Sequence, residues 1–364
     1  MNKLAPPLLA LMTTLAATTA AELNVHPIAR LDALFGKFSQ PDAPGASAMV
    51  IHHGQPVFAR GYGLADLETG VPCSTNTNFR LASVTKQFTA MAIMILAERK
   101  KLSLDERLTD LFPEFPAYGS GITVRQLLTH TSGLPDYEGL IPTGTTLPVL
   151  DRDVLRILLK QDKTSFPPGS RFRYSNSGYA LLALIVEARS GQTFARFLDE
   201  RIFAPLGMTQ TLAYEQGVSA VPHRAFGHSL KSNAWQRTDQ SLTSSVLGDG
   251  GVYSCVADLA KWDAALYTTN LVSREMLDLA FTSATPTDQP GRGYGFGWFI
   301  GEYRGLKEIW HGGETIGFRT RIARFPEKEF TVIILANRSD VRLDDFPHQV
   351  ADLFLFSTPP GSGG

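Results

Sequence analysis

This sequence has few cysteines and almost no net charge. Cys73 and Cys255 are the only cysteines among 364 residues, so one disulfide is the maximum, and the sequence does not show that the two meet. We expect two free thiols. The 34 basic and 35 acidic side chains give a net charge of −1. This balance provides no basic patch for nucleic acid and no acidic tail, so no nucleic-acid partner is expected.

Metal-binding motifs are missing as well. The eight histidines are scattered, and neither His-Glu-x-x-His nor Cys-x-x-Cys occurs. No metal or other cofactor is therefore expected. Otherwise the composition is that of an ordinary globular protein, with 43% hydrophobic and 19% charged residues.

The first residues are typical of an export signal. Lys3 precedes an apolar stretch at 4–17 that is too short to span a bilayer, and small residues then lead to a cleavage point before Glu22. An uncleaved membrane tether is the alternative. We expect a signal peptide at 1–21, one domain at 22–357 and a disordered tail at 358–364. The protein would then be periplasmic or secreted in a bacterium, with no stable membrane span after the leader is removed.

Strand-like and helix-like segments follow a simple order along the chain. Two strands precede a helical middle part, and three strands and a closing helix follow it. The strands are expected at 46–51, 56–62, 307–311, 317–325 and 330–337, and the closing helix at 349–356. This order predicts an α+β fold, in which strands from both chain ends form one antiparallel sheet flanked by helices, with a mainly helical region inserted.

A first candidate catalytic motif is Ser83-Val84-Thr85-Lys86. A serine hydroxyl is a weak nucleophile until a base takes its proton, and Lys86 lies one helical turn from Ser83. The following segment, 88–96, is apolar on nearly every side, which predicts a buried helix and a partly buried lysine. The alternative is a serine that only caps the helix and a lysine on the surface.

A second motif, Tyr174-Ser175-Asn176, supplies a phenol and an amide. A lysine ammonium close to a phenol favours the phenolate, so Tyr174 and Lys86 make a plausible coupled base. Asn176 would accept a hydrogen bond from Lys86 and donate to a substrate carbonyl. The alternative is a loop that is held by aromatic packing alone.

A third motif, His311-Gly312-Gly313, lies at the end of a predicted strand. Glycines at such an edge allow a substrate backbone to pair with the strand, and His311 would contact a substrate carboxylate or transfer a proton. The alternative is a glycine bulge beside a buried histidine. The glycine cluster at 248–254 is expected to form a wall of the cleft or a tight turn.

These motifs together resemble the penicillin-binding protein and class C β-lactamase family of serine hydrolases. That family includes D-alanyl-D-alanine carboxypeptidases, D-aminopeptidases and β-lactamase-like carboxylesterases. The resemblance runs from about residue 27 to 356 and rests on segments 79–86, 127–134, 167–169, 174–179, 205–208 and 311–313. It implies a β-lactamase/transpeptidase-like fold.

The resemblance also implies roles for individual residues. Ser83 would be the acylated nucleophile, Lys86 and Tyr174 would share the role of base, and Asn176 would orient the substrate. The third motif, with Gly312 and Gly313, would line the substrate site.

The resemblance further implies an oxyanion hole between the first and third motifs. One donor would be the backbone N–H of Ser83, and the other would be an N–H near Gly313 or Glu314.

One departure from the family concerns charge. Class C β-lactamases resemble this chain but open the third motif with lysine, as Lys-Thr-Gly, where this chain has His311. A histidine is mostly neutral at pH 7 and is a poor partner for the carboxylate of a penicillin. Arg319 or Arg321, on the next strand, would restore the charge if it pointed into the cleft.

The sequence thus leads to an exported serine hydrolase that forms an acyl-enzyme on amide or ester bonds. A D-amino-acid peptide, as in a DD-peptidase, is the favoured substrate class. A β-lactamase and a carboxylesterase acting on short acyl esters remain open, as does a catalytically silent binding homologue. The expected partner is a small-molecule or peptide substrate, and the oligomeric state stays open.

Overall fold

The structure is a computed structural model that describes residues 20–356, with side chains from residue 27 onward. Except for positions 20 and 21, which begin the first helix, the expected leader at 1–21 lies outside the described residues. The expected tail at 358–364 lies outside them as well.

The described residues form eleven α-helices and fifteen strands. The helices are α1 (Ala20–Phe35), α2 (Lys86–Glu98), α3 (Leu108–Leu111), α4 (Val124–Leu128), α5 (Asp151–Leu158), α6 (Asn176–Ser190), α7 (Phe194–Leu198), α8 (Leu247–Gly250), α9 (Val256–Ala265), α10 (Arg274–Ala280) and α11 (Phe346–Leu355). The strands are β1 (Ala46–His52), β2 (Gln55–Tyr62), β3 (Leu64–Asp66), β4 (Val71–Pro72), β5 (Phe79–Arg80), β6 (Leu212–Ala213), β7 (His228–Lys231), β8 (Ala234–Arg237), β9 (Val252–Ser254), β10 (Thr285–Pro286), β11 (Gly293–Tyr294), β12 (Phe299–Tyr303), β13 (Leu306–Thr315), β14 (Phe318–Phe325) and β15 (Phe330–Ala336).

The main sheet joins the two ends of the chain, as the sequence predicts. Its eight strands are antiparallel, in the order β10-β11-β12-β13-β14-β15-β1-β2. Strand β1 pairs along its whole length with β15, from Ala46 opposite Ala336 to His52 opposite Phe330. The α+β prediction is confirmed. The edge strands β10 to β12 were not expected, because two of them have only two residues and carry no alternating pattern.

Alternate residues of β1 enter different hydrophobic cores. Ala48 and Val50 belong to a core with α1 and α11, whereas Met49 and Ile51 belong to a larger core with the inserted helices. Because side chains alternate across a strand, this burial on both faces requires a nearly continuous apolar sequence. The sheet is therefore the middle layer of the molecule.

The start of the buried helix differs from the sequence expectation. Ser83 lies not in the helix itself but in a 3₁₀ turn, Ala82–Thr85, and α2 begins only at Lys86. No side chain caps either segment, so Ser83 does not act as an N-cap. The closing helix α11 begins at Phe346 rather than 349, because Pro347 is tolerated in the first turn of a helix.

Both cysteines, Cys73 and Cys255, are free and buried. Burial raises the pKa of each thiol, to about 11 for Cys255. Among residues 20–356, no helix has the length and apolar character needed to cross a membrane.

A buried ion pair joins the main sheet to α9. Arg324 Nε in β14 donates to Asp263 Oδ1 at 2.6 Å, and Thr331 Oγ1 in β15 donates to the same oxygen at 2.9 Å. The two charged side chains are 1% and 5% exposed. Removing one partner of such a pair leaves the other charge buried without compensation, which is strongly destabilising.

We expect Asp263→Ala to lower the free energy of unfolding by about 3–5 kcal/mol, because it leaves the Arg324 guanidinium buried and unpaired. Urea denaturation measures this change. The matched control is Asp105→Ala, which removes the exposed partner of Arg125 and should cost less than about 1 kcal/mol. Equal losses in the two variants would contradict the assignment.

Candidate active site

The turn that carries Ser83 is strained and firmly held. Ala82, directly before the serine, has a φ of +48°, a left-handed conformation that non-glycine residues rarely adopt. On the preceding residue, the Leu81 N–H donates to the carbonyl of Val252 at 2.8 Å, and the Leu81 carbonyl accepts from Thr320 Oγ1 at 2.7 Å. Strand β9 and strand β14 therefore fix the turn from two directions.

Lys86 is fully buried beside this serine. Its Nζ donates to Ser83 Oγ at 3.1 Å, to Asn176 Oδ1 at 2.8 Å and to the backbone carbonyl of Asp249 at 2.8 Å. Three acceptors match the three N–H groups of an ammonium. The alternative of a surface lysine is wrong, since the side chain has 0% exposure.

Tyr174 lies beside Lys86 but presents its ring rather than its hydroxyl. The Lys86 Nζ is 5.0 Å from the ring centroid, within the range of a cation–π contact. The ring also stacks on Phe299 with a centroid separation of 6.3 Å. The Tyr174 hydroxyl is buried without a hydrogen-bond partner among the described residues. The structure therefore places the ring of Tyr174 beside Lys86, and the Tyr174 hydroxyl has unused hydrogen-bonding capacity.

Asn176 begins α6, and its side chain is held at both ends. Its Oδ1 accepts from Lys86, and its Nδ2 donates to Glu138 Oε1 at 3.0 Å. Its backbone N–H donates to Asp136 Oδ2 at 2.9 Å. The expected bond to Lys86 is present. The sequence analysis missed Asp136 and Glu138, because only the turn that precedes them, at 132–135, carries a recognisable pattern.

His311 occupies a different position from the one expected. It is 1% exposed; its Nδ1 donates to the Gly312 carbonyl at 2.7 Å, and its Nε2 accepts from the Tyr294 hydroxyl at 3.0 Å. Burial, followed by the nearby Lys86 charge, lowers the pKa of this imidazole to about 3. The expectation of a contact with a substrate carboxylate needs correction: the ring is neutral, and both nitrogens are already engaged.

The glycines of the third motif differ in their role. A Cβ on Gly313 would lie 2.1 Å from the Leu81 carbonyl oxygen, so only glycine lets β13 approach the serine turn this closely. A Cβ on Gly312 would meet nothing closer than 3.6 Å. The next residue, Glu314, is exposed and lines the cavity at Ser83.

Neither candidate arginine lines that cavity. Arg319 donates to the carbonyls of Thr315 and Phe318 at 2.8 and 2.7 Å. Arg321 donates to Asp344 Oδ1 at 3.1 Å. Both side chains border a separate small cavity on β13. The arrangement therefore does not restore the positive charge that His311 lacks.

The cavity at Ser83 has a volume of about 40 Å³. Its lining consists of Arg80, Ala82, Ser83, Tyr137, Glu138, Asn176, Thr243, Asp249, Gly250, Glu314 and Thr315. Three of these residues are acidic, and the single arginine is bound to Gln240 and to the carbonyl of Ser244. The expected wall from the 248–254 cluster is present as Asp249 and Gly250. The site thus combines a nucleophile, a buried ammonium and carboxylates.

Two buried carboxyl groups hold the α8 turn behind Lys86. Asp151 accepts from the N–H groups of Leu247 and Gly248 at 2.9 and 3.0 Å, and Asp249 Oδ2 accepts from the Tyr137 hydroxyl at 2.9 Å. Burial raises the pKa of both carboxyl groups to about 7. Asp249 lies in the expected 248–254 cluster, but the contacts of both carboxyl groups were missed because they span about a hundred positions of sequence.

Comparison with known proteins shows the family of the chain. The Beta-lactamase family model matches residues 31–353. Penicillin-binding protein 4* of Bacillus subtilis (strain 168) is 30% identical over 346 residues, which cover 90% of this chain and 76% of that protein. The chain belongs to the Beta-lactamase family, whose members are serine hydrolases, and it is an enzyme of that kind.

Solved structures share the fold. The octameric penicillin-binding protein homologue from Pyrococcus abyssi superposes with a TM-score of 0.79 and 29% identity, covering 94% of this chain and 78% of that one. The D-amino acid amidase from Ochrobactrum anthropi SV3, in complex with L-phenylalanine amide, superposes with a TM-score of 0.77 and 24% identity, covering 91% and 97%. The α+β architecture is therefore that of the penicillin-binding proteins.

Gly312 and Gly313 are adjacent in β13, and together they test whether the close approach of this strand to the serine turn requires a glycine. We expect Gly313→Ala to reduce stability by about 1–3 kcal/mol, because the new methyl group overpacks the contact with Leu81, and to reduce hydrolysis at least tenfold. Gly312→Ala meets only ordinary contacts and should keep its melting temperature within a few degrees. Thermal denaturation and ester hydrolysis measure both variants, and equal effects would contradict the packing argument.

Proposed function

We propose that the protein is an exported serine hydrolase that forms an acyl-enzyme on Ser83 and cleaves amide or ester bonds. The observation that carries this proposal is the fully buried Lys86 ammonium, hydrogen-bonded to Ser83 Oγ at 3.1 Å. A buried charge is costly unless it is used or compensated. Export is supported by the leader pattern at residues 1–21.

In the proposed reaction, Ser83 Oγ attacks the carbonyl carbon of the substrate. Once the Lys86 and Tyr174 pair has lost one proton, to give an ammonium and a phenolate or an amine and a phenol, it acts as one base: it takes the serine proton and passes it to the leaving nitrogen or oxygen. Tyr174 does not line the cavity, and the support for this role is the contact of its ring with Lys86 together with a hydroxyl that has no partner among the described residues. Asn176 keeps Lys86 directed at the serine.

The developing oxyanion would be bound by backbone N–H groups. One belongs to Ser83, whose turn is fixed by β9 and β14, and the other belongs to β13 near Gly313 or Glu314. The close approach of that strand to the turn at Gly313 supports this pairing of donors. The products of this step are the acyl-enzyme and the free leaving group.

The charge of the cavity bears on the substrate. Glu138, Asp249 and Glu314 line it, His311 is neutral, and Arg319 is bound elsewhere. Arg80, the one cation in the lining, is 3% exposed and donates to Gln240 and to the Ser244 carbonyl, so it offers a penicillin carboxylate little contact. This environment disfavours a free carboxylate beside the scissile bond, as in a β-lactam, and the D-amino-acid peptides that the family resemblance favours would be cut at a bond without one. Short acyl esters, which are uncharged, are the second candidate because the same cavity accepts them.

The nucleophile is tested by Ser83→Ala. We expect the variant to lose covalent labelling by a fluorophosphonate probe and to lose hydrolysis of p-nitrophenyl acetate by about 10³-fold or more. Mass spectrometry and absorbance follow the two reactions. The control is Ser170→Ala, an exposed serine outside the cavity, which should behave as wild type. Unchanged labelling of Ser83→Ala would refute the assignment.

The substrate class is tested with four compounds. D-alanine p-nitroanilide should be cleaved at least tenfold faster than its L-enantiomer. p-Nitrophenyl acetate should also turn over, whereas benzylpenicillin should acylate slowly and not turn over rapidly, because its carboxylate meets acidic side chains. Comparison of kcat/KM values decides the order. Rapid turnover of penicillin would show that the protein is a β-lactamase instead. Turnover of the ester alone would show that it is a carboxylesterase.

A further inference from the structure

Asp249 is connected through Lys86 to Ser83, the proposed nucleophile. Its backbone carbonyl accepts from Lys86 Nζ, which in turn donates to Ser83 Oγ, so two hydrogen bonds connect it to the nucleophile. The following residue, Gly250, faces the serine turn: a Cβ there would lie 3.5 Å from Ala82 Cα. The α8 turn therefore forms the floor of the site.

Asp249 borders the same cavity as Ser83, and so does Tyr137, the hydrogen-bond partner of its carboxyl group. The residue is 7% exposed and lines that cavity. Its Oδ2 accepts from the Tyr137 hydroxyl at 2.9 Å, and no described residue donates to Oδ1. A volume of about 40 Å³ is room for at least one water molecule, which needs about 10–15 Å³. A water there would meet a carboxylate oxygen and the serine together.

The other two carboxylates of the cavity are placed differently. Glu138 is exposed and already accepts from the Asn176 amide. Glu314 is 72% exposed and lies 3.6 Å from the Arg319 guanidinium. Asp249 alone is buried, and burial raises its pKa to about 7, partly opposed by the charge of Lys86. A base that titrates near neutral pH is well suited to proton transfer at that pH.

We propose that Asp249 is the general base that activates the water which hydrolyses the acyl-Ser83 intermediate. This inference rests on the proposed function. The water oxygen forms a bond to the acyl carbonyl carbon, and one water proton passes to the Asp249 carboxylate. The bond from that carbon to Ser83 Oγ then breaks, its electron pair stays on Oγ, and Oγ takes a proton from Lys86. The Asp249 proton passes to Lys86, which restores both groups.

If Asp249 is the base for deacylation, the two steps of the reaction depend on different residues. Acylation would use Lys86 and Tyr174, whereas deacylation would also need Asp249. With p-nitrophenyl acetate, we expect Asp249→Asn to release a burst of p-nitrophenol equal to the enzyme concentration. Steady-state turnover should then fall about 100-fold, the range that general base catalysis supplies. Mass spectrometry should find the acetyl-enzyme accumulated, and Asp162→Asn, an exposed carboxyl outside the cavity, should show no accumulation.

Hydroxylamine distinguishes a catalytic role from a structural one. It attacks an acyl-enzyme without help from a base, so it should restore turnover of Asp249→Asn at least tenfold and affect wild type much less. Equal losses of burst and turnover, or no rescue, would overturn the proposal. If neither wild type nor Asp249→Asn forms an acyl-enzyme on Ser83, it is the proposed function that fails.

The wild-type enzyme provides a test that does not depend on the variant folding. The carboxylate is the active form of the base, and it accumulates as the pH rises through the raised pKa of Asp249, about 7. The decay rate of a preformed acetyl-enzyme should therefore rise about tenfold from pH 6 to 8. A flat profile would overturn the proposal, and in Asp249→Asn this rise should disappear.

Discussion

The site depends on one buried ammonium. Lys86 has no exposed surface, and its charge is compensated only because three distant segments direct oxygen atoms at it: the serine turn, the start of α6 and the α8 turn. Asn176 and Asp249 lie 90 and 163 residues away in sequence. Because each oxygen is needed to keep the charge stable in the interior, the lysine fixes the relative positions of all three segments.

Close backbone approach is the second requirement of this arrangement. Strand β13 and the α8 turn both reach the residues just before Ser83, at Gly313 and Gly250, but only Gly313 has to be a glycine, because a Cβ on Gly250 would make an ordinary contact of 3.5 Å with Ala82. The strained φ of Ala82 is stable because Leu81 is hydrogen-bonded on both sides. The local strain and the buried charge are therefore compensated by the same neighbouring elements.

Local patterns in the sequence were enough to predict the sheet, the buried α2 and the contact among Ser83, Lys86 and Asn176. These features follow from alternation, helical spacing and short motifs. The burial of His311 and the carboxyl groups of Asp249 and Glu138 could not be predicted, because they depend on which segments meet in three dimensions. The orientation of Tyr174 is an intermediate case: its presence follows from the motif, but its ring-on position over Lys86 is set by packing against Phe299.

The neutral state of His311 changes the electrostatics of the whole cleft. In the class C β-lactamases that this chain resembles, a lysine opens the third motif, whereas here the imidazole is enclosed between Tyr294 and its own backbone. Lys86 contributes to this neutrality, since a second positive charge beside a buried ammonium is unfavourable. The charged residues that line the cavity are then Glu138, Asp249 and Glu314, together with the largely buried Arg80. We expect these acidic side chains to disfavour a substrate that carries a free carboxylate.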